Sequence, residues 1–110
     1  MISQQLIKGT LKTIVLKLLT EHGKMYGYQI TQEVKKLTAG KFELTEGALY
    51  PTLHKLQSKG LLTIEKERVN GRVRKYYSLT LSGEKETSVQ LSEFDEFVRV
   101  MHMILKPKMA

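Results

Sequence analysis

Basic side chains cluster around an Asn-Gly pair in the second half of the chain. Residues 61–81 hold five cations against two acids, and the cations are Lys66, Arg68, Arg72, Arg74 and Lys75. Asn70 and Gly71 both tolerate the positive φ of a type I′ turn, so the flanking runs are predicted to pair as a β-hairpin. Cations at the tip of a hairpin can contact the phosphates of a polyanion. The alternative is an ordinary solvated tip of an α+β domain.

The helix predicted immediately before this hairpin supplies a second set of polar groups. Thr45 is a suitable N-cap, since its hydroxyl can accept from an amide of the first turn. The side chains expected in the core follow at i, i+4 and i+7: Leu49, Leu53 and Leu56. That spacing leaves Tyr50, His54 and Lys55 accessible to a ligand. For Tyr50 the alternative of a partly buried core aromatic stays open.

A helix followed at once by a basic hairpin is the layout of a winged helix-turn-helix, a module whose recognition helix enters the DNA major groove. The candidate DNA contacts are Thr45, Tyr50, His54, Lys55, Asn70, Arg72, Arg74 and Lys75. Arg72 and Arg74 alternate with Val73, so both are expected to point away from the core face of the hairpin. Tyr76 and Tyr77 are expected to be mostly structural.

The net charge of +7 is unevenly distributed along the chain. Residues 1–60 carry +5 and residues 61–81 carry +3, whereas residues 82–110 carry −1. The positive charge therefore belongs to the part of the chain that holds both candidate sets. Such a field favours a polyanion, because contact with phosphates releases counterions. A basic protein without a nucleic acid partner is the competing interpretation.

Catalytic and metal-binding chemistry finds little support in the composition. His22, His54 and His102 fall on three separate predicted helices without a metal-binding spacing. Asp95 is the only Asp, and the absence of Cys excludes both a disulfide framework and a thiolate metal site. We therefore expect neither an enzyme nor a cofactor or metal site.

The length and the hydropathy indicate one domain that does not enter a membrane. A chain of 110 residues can bury a single core but not two. No apolar run is long enough to cross a bilayer, and Lys8 and Lys12 interrupt the N-terminal segment where a signal peptide would be apolar. The expected location is the cytoplasm.

Helical periodicity organises the first forty residues of the chain. The apolar stripe of the first helix consists of Leu6, Ile7, Leu11, Ile14, Val15, Leu18 and Leu19. That helix is predicted to stop near Gly23. A second helix is predicted from about 26–28 to 38–40, with Ile30, Val34 and Leu37 inward. The link 41–44 is predicted to be extended, and one option is that it pairs with the hairpin as an edge strand.

Pro51 complicates the third helix, because a proline removes one hydrogen bond and crowds the carbonyl of Gly47. The helix either starts later or carries a local distortion, and the continuing leucine spacing favours the distortion. In the strands that follow, the inward residues are Leu62, Ile64, Tyr77 and Leu79. Thr80 or Ser82 then caps a final helix of about twenty residues, which Pro107 closes.

The final helix carries more apolar surface than a solitary helix needs. Its stripe consists of Val89, Phe94, Phe97, Val98, Met101, Ile104 and Leu105, spaced as a coiled-coil-like seam. An exposed stripe of this size normally marks an interface. Packing on its own domain is the alternative, but the stripe of the first helix is already needed by the core. A symmetric dimer would also supply two recognition helices to the half-sites of a pseudo-palindromic operator.

Three motifs resemble the PadR family of bacterial transcription regulators: YGYQI at 26–30, GALYPTLHKLQSKGLL at 47–62 and GRVRKYYSLT at 71–80, followed by Gly83. The resemblance implies a winged helix-turn-helix that dimerises through a C-terminal helical part and represses transcription. The length fits the short subgroup with a single C-terminal helix. The expected division is a DNA-binding domain at 1–81 and a dimerisation helix at 82–110, within one compact unit that is mainly α with a small β-hairpin.

Some short members of that family resemble drug sensors, in which an aromatic residue of the last helix lines a flat apolar pocket at the dimer interface. Phe94 lies at the corresponding distance from Gly83, whereas the Trp typical of such members is absent. The resemblance thus implies a small planar hydrophobic effector that relieves repression, and plain packing of Phe94 in the dimer is the alternative. The competing function is a winged-helix module that binds RNA or protein without a specific DNA operator.

Overall fold

Four helices and a three-stranded antiparallel sheet form the structure, a computed structural model that describes residues 2–107. The elements in chain order are α1 (Gln4–His22), β1 (Lys24–Tyr26), α2 (Gly27–Leu37), α3 (Glu46–Ser58), β2 (Leu62–Val69), β3 (Arg72–Leu79) and α4 (Leu81–Leu105). The strand order in the sheet is β1-β3-β2. The protein is therefore mainly helical, with the predicted hairpin formed by β2 and β3.

The core forms where α1, α2, α3 and the sheet meet. Its largest fully buried side chains are Tyr77, Ile7, Leu11, Leu16, Leu19, Ile30, Leu49, Leu53, Leu56 and Val15. The predicted core positions of α3 are thus confirmed. Each fully buried aliphatic side chain contributes about 1.5–3 kcal/mol relative to its exposed state, so this cluster outweighs any single polar contact. Burial also raises the pKa of the Tyr77 phenol, whose hydroxyl has no hydrogen-bond partner among residues 2–107.

Two leucines expected in the core lie outside it. Leu6 is 67% exposed and Leu37 is 65% exposed, so both predictions are wrong. Leu6 lies on the side of α1 that borders α4, where it lines a hollow with Phe94 and Phe97. Leu37 is the last residue of α2 and lines a second hollow, again with Phe94. Both side chains therefore belong to an apolar surface beside α4.

The strand that pairs with the free side of the hairpin is β1, and 41–44 form no strand, so the option of an edge strand at 41–44 is wrong. β1 pairs antiparallel with β3, and Met25 lies opposite Tyr77. The link instead binds the N-terminal segment. The carbonyl of Lys41 accepts from the amide of Ile2 at 3.2 Å, and that of Glu43 accepts from Nε2 of Gln4 at 2.9 Å. These two hydrogen bonds therefore hold the start of α1 against the link.

The third helix begins at its predicted cap and continues across the proline. Oγ1 of Thr45 accepts a hydrogen bond from the amide of Ala48 at 3.2 Å. The helix then runs from Glu46 to Ser58 with Pro51 inside it, so a later start is wrong. Pro51 lies on the exposed side, where the hydrogen bond it cannot make to Gly47 leaves a carbonyl accessible to water.

The ends of α3 and β3 and the starts of β2 and α4 meet at one junction. Oγ1 of Thr80, not Ser82, caps α4: it accepts from the amide of Gly83 at 3.0 Å and donates to the carbonyl of Gly60 at 2.6 Å. The carbonyl of Leu61 accepts from the amide of Thr80 at 3.0 Å. Gly83 is buried against that carbonyl, and a Cβ at this position would overlap with the Leu61 oxygen. Only glycine therefore permits this close approach.

Substituting Gly83 with Ala should destabilise the protein, although Ala normally favours a helix over Gly. The added methyl group meets backbone, which cannot rotate away, so we expect a loss of about 1–3 kcal/mol, as in other overpacked sites. Gly47→Ala is the matched control, since a Cβ there meets no atom within 4 Å. It should gain about 0.5–1 kcal/mol. Urea unfolding would measure the free energy of unfolding of both variants. Equal values would contradict the close approach of Gly83 to the Leu61 carbonyl.

Candidate nucleic-acid interface

The hairpin turn has the predicted geometry. Asn70 and Gly71 have φ values of 50° and 76°, the positive values that a type I′ turn requires. Val69 and Arg72 close the turn as cross-strand partners. Val73 is 57% exposed, so this end of the hairpin projects beyond the core as a wing.

The two faces of the hairpin differ in charge. Cross-strand partners lie on the same face of a sheet. The inner face continues from the core residue Tyr77 and carries Lys75, Val73 and their partners Lys66 and Arg68, three cations without an acid. The outer face carries Arg72, Arg74, Tyr76 and their partners Val69, Glu67 and Glu65, so both acids of the hairpin are there. Arg72 and Arg74 thus lie on the face away from the core, as predicted.

The outer face holds a connected set of ionic and aromatic contacts. The guanidinium of Arg74 lies over the ring of Tyr26 at 4.4 Å from its centroid, and the rings of Tyr26 and Tyr76 meet edge to face at 5.4 Å. Nζ of Lys24 contacts Oε2 of Glu67 at 2.6 Å, and this hydrogen bond raises the pKa of Lys24. Both side chains therefore contact β1, Arg74 through Tyr26 and Glu67 through Lys24.

The exposed side of α3 presents the predicted polar residues. His54 and Lys55 are exposed, and Tyr50 is 37% exposed. The tip of the Tyr50 ring lies against Gly27, where a Cβ would come within 2.6 Å of its hydroxyl oxygen. Tyr50 is thus partly covered by the start of α2 and partly exposed, and its contact with DNA remains a prediction.

One hollow joins the recognition-helix candidate to the wing. Its volume is about 340 Å³, and it is lined by Tyr26, Gly27, Tyr28, Tyr50, Val73, Arg74 and Lys75. The structure therefore brings three of the predicted contact residues together: Tyr50, Arg74 and Lys75. His54 and Lys55 lie further along α3, Thr45 caps its start, and Asn70 and Arg72 are at the tip of the wing.

Two exposed cations of the inner face were not among the predicted site residues. Lys66 and Arg68 lie opposite Lys75 and Val73, and within residues 2–107 neither forms an ion pair. The signal that could have found them is alternation along the strand. Residues at even distances from Tyr77 share its face, so alternation assigns Lys75 and Val73 to the inner face, and the pairing across the Asn-Gly turn then adds Lys66 and Arg68.

The fourth helix is longer than predicted and leaves most of its apolar stripe uncovered. It has 25 residues, and its first half is tied to α1 by Nζ of Lys12 and Oε2 of Glu86 at 2.7 Å. This hydrogen bond lowers the pKa of Glu86. Phe97, Val98, Ile104 and Leu105 are exposed, whereas Phe94 and Met101 are partly buried. Phe94 and Phe97 also contact each other, with ring centroids 6.0 Å apart.

No group of three His, Cys, Asp or Glu side chains in the described part of the chain could hold a metal ion. Over the same residues no helix has the length and apolar character needed to span a membrane. The chemistry that the arrangement offers is binding by cations, hydroxyls and aromatic rings.

Comparison with known proteins agrees with the sequence resemblance. The model of the transcriptional regulator PadR-like family matches residues 15–89. Transcriptional regulator Rv3488 of Mycobacterium tuberculosis is 34% identical over 76 residues, which cover 69% of this chain and 68% of that protein. The chain belongs to the PadR-like family of transcriptional regulators.

Solved structures of transcription regulators share the whole architecture. A transcriptional regulator from Clostridium thermocellum superposes with a TM-score of 0.85 at 28% identity, over 96% of this chain and 100% of that one. A PadR family transcription regulator from Clostridium difficile gives a TM-score of 0.73 at 28% identity, over 87% and 98%. The fold is therefore that of the PadR winged-helix regulators.

Proposed function

We propose that the protein is a cytoplasmic, homodimeric repressor that binds a pseudo-palindromic DNA operator through α3 and the wing, without catalytic activity. The observation that carries this proposal is the continuity of the basic surface. Tyr50 of α3 lines one hollow together with Arg74 and Lys75 of the wing. On the inner face of the hairpin, Lys75 continues into Lys66 and Arg68 without an acid. A surface with this charge and curvature suits the phosphates that border a DNA groove.

The residues of α3 would have different roles in this complex. A recognition helix approaches base edges with its N-terminal part, so the exposed start of α3 beside Thr45 faces the groove. Tyr50 and His54 can exchange hydrogen bonds with phosphates or bases, whereas Lys55 contributes a point charge. Asn70 and Arg72 at the wing tip would meet the adjacent backbone or minor groove.

The dimer is supported by the uncovered stripe of α4. Ile104 and Leu105 are 69% and 68% exposed, and Phe97 is 55% exposed, in a helix that projects past the core. A second copy of the same helix is apolar at the same positions and would cover them symmetrically. The division into a DNA-binding part at 1–81 and a dimerisation helix at 82–110 belongs to this proposal.

An effector site is supported by the hollow beside α4. The hollow measures about 300 Å³ and is lined by Leu6, Gly9, Phe94 and Phe97 among others. Two such hollows facing each other across a dimer axis would bound an apolar slot for a planar hydrophobic molecule. Bound ligand would favour one separation of the two wings and so change operator affinity by its differential affinity for the two states.

The competing function is a winged-helix module that binds RNA or a protein. Competition between duplex DNA, duplex RNA and single strands of the same sequence separates these functions, because A-form RNA does not admit a helix into its major groove. A preference for the duplex upstream of the protein's own coding sequence supports the repressor. Equal affinity for every nucleic acid would contradict the repressor function.

Lys55→Gln should weaken DNA binding, because the variant loses one phosphate contact. We expect the slope of log K against log salt to become shallower by about 0.9. Fluorescence anisotropy with a labelled duplex measures the slope, and Lys8→Gln, an exposed lysine of α1, is the matched control. If both variants behave alike, α3 is not the helix that contacts DNA.

Ile104→Glu should convert the dimer to a monomer without unfolding it. The side chain is largely exposed in the single chain, so the charge is costly only where a second helix covers it. Ser92→Glu adds the same charge at an exposed position of α4 away from the stripe and should remain dimeric. Light scattering after size exclusion gives both masses. A dimeric Ile104→Glu protein would refute the assignment of the interface to this stripe.

Phe94→Leu should remain dimeric but bind planar ligands more weakly. Each lost ring–ring contact removes about 0.5–1.5 kcal/mol beyond the buried area, which lowers affinity by roughly two- to tenfold. Titration of wild type and variant with planar fluorescent dyes measures the difference. If both bind the dyes equally, or neither binds them, Phe94 only packs the dimer.

A further inference from the structure

Arg74 is held by protein groups on the side of the wing that carries its acids. Its guanidinium stacks on Tyr26, the residue that ends β1 and holds the N-cap position of α2. Tyr26 in turn meets the ring of Tyr76 edge to face. A planar guanidinium can stack flat on such a ring, whereas a lysine offers only a point charge, as Lys24 does 5.0 Å from the centroid of Tyr76. Arg74 therefore ties the projecting wing to the edge strand and to the start of α2.

Charge on the outer face is largely neutralised around Arg74. Its cross-strand partner is Glu67, and Glu65 lies opposite Tyr76 on the same face. Lys24 of β1 contacts both acids, at 2.6 Å and 3.7 Å. A phosphate approaching this face would meet two carboxylates as well as the cations, and like charges repel.

The inner face offers the opposite environment. Lys66 and Lys75 are direct cross-strand partners and Arg68 is the next inner-face residue of β2, all three exposed. No acid shares this face of the hairpin, and Lys75 reaches the hollow that Tyr50 of α3 and the stacked pair Arg74 and Tyr26 also line. Two lysines held side by side repel each other, and a bound phosphate would relieve that repulsion.

We propose that Arg74 is a positioning residue of the wing, and that Lys66, Arg68 and Lys75 make the wing's phosphate contacts from the inner face. The inference rests on the proposed DNA-binding function and deepens it. Arg74 acts through Tyr26: the stack fixes the angle at which the inner face meets the backbone of a duplex bound to α3. Behind its tip, where Asn70 and Arg72 would meet DNA, the wing thus has one face for structure and one face for DNA.

Charge-conserving and charge-removing variants of Arg74 separate positioning from direct contact. Arg74→Lys keeps the charge but loses the planar stack, so it should lose affinity by the same factor as Arg74→Gln. Tyr26→Leu should lower DNA affinity by the same factor. Combined with Arg74→Lys in one protein, it should cause no further loss. In the DNA-free protein, all three should raise amide hydrogen exchange across residues 69–76, whereas Arg72→Gln on the same face should not.

The inner-face cations should behave as contacts. Lys66→Gln, Arg68→Gln and Lys75→Gln should each lower the salt slope by about 0.9, with hydrogen exchange of the free wing unchanged. The probe is a labelled duplex from the region upstream of the protein's own coding sequence, titrated between about 50 and 200 mM salt.

Three results would overturn the proposal. The first is wild-type affinity in Arg74→Lys together with a lower slope in Arg74→Gln. The second is unchanged exchange of the free wing in both Arg74 variants. The third is an unchanged slope in all three inner-face variants. Absence of salt-dependent binding by the wild type would instead refute the DNA-binding function itself, while the exchange of the free protein would still report on Arg74.

Discussion

The close approach of α4 to the carbonyl of Leu61 is the constraint on which the rest of the structure depends. Thr80 bonds Gly60 and Leu61 at the end of α3 and at the same time caps α4. Gly83 permits the contact because it has no side chain. The helix proposed to read DNA, the hairpin and the helix proposed to dimerise therefore share one short, hydrogen-bonded segment. In the proposed dimer, a change in the angle between the two α4 helices would be transmitted to α3 and the wing through this segment.

The wing combines a fixed base with a charged edge. Its base is part of the sheet, since Tyr77 is buried and paired with Ile64 and Met25. Its tip projects beyond the core, where alternation separates the cations of the inner face from the acids of the outer face. Electrostatic attraction to phosphates is sequence-independent, so specificity in the proposed complex would come from α3.

The sequence predicted the parts of the fold that periodicity and caps determine. The four helices, the Asn70–Gly71 turn and the cap of α3 at Thr45 are confirmed, because each depends on residues close together in the chain. The edge strand was misplaced, since three residues at 24–26 are too few to show alternation. The Arg74–Tyr26 stack could not be predicted for the same reason: β1 must first pair with β3. The DNA contacts and the dimer seam remain predictions.

Binding of the intact protein to duplex DNA as a function of salt tests the central claim most directly. The measurement is fluorescence anisotropy with the duplex upstream of its own coding sequence and a shuffled duplex of equal length. The account predicts two chains per site, a steep loss of affinity with salt and tighter binding to the upstream duplex. Affinity that is insensitive to salt, or equal for both duplexes at every salt concentration, would contradict it.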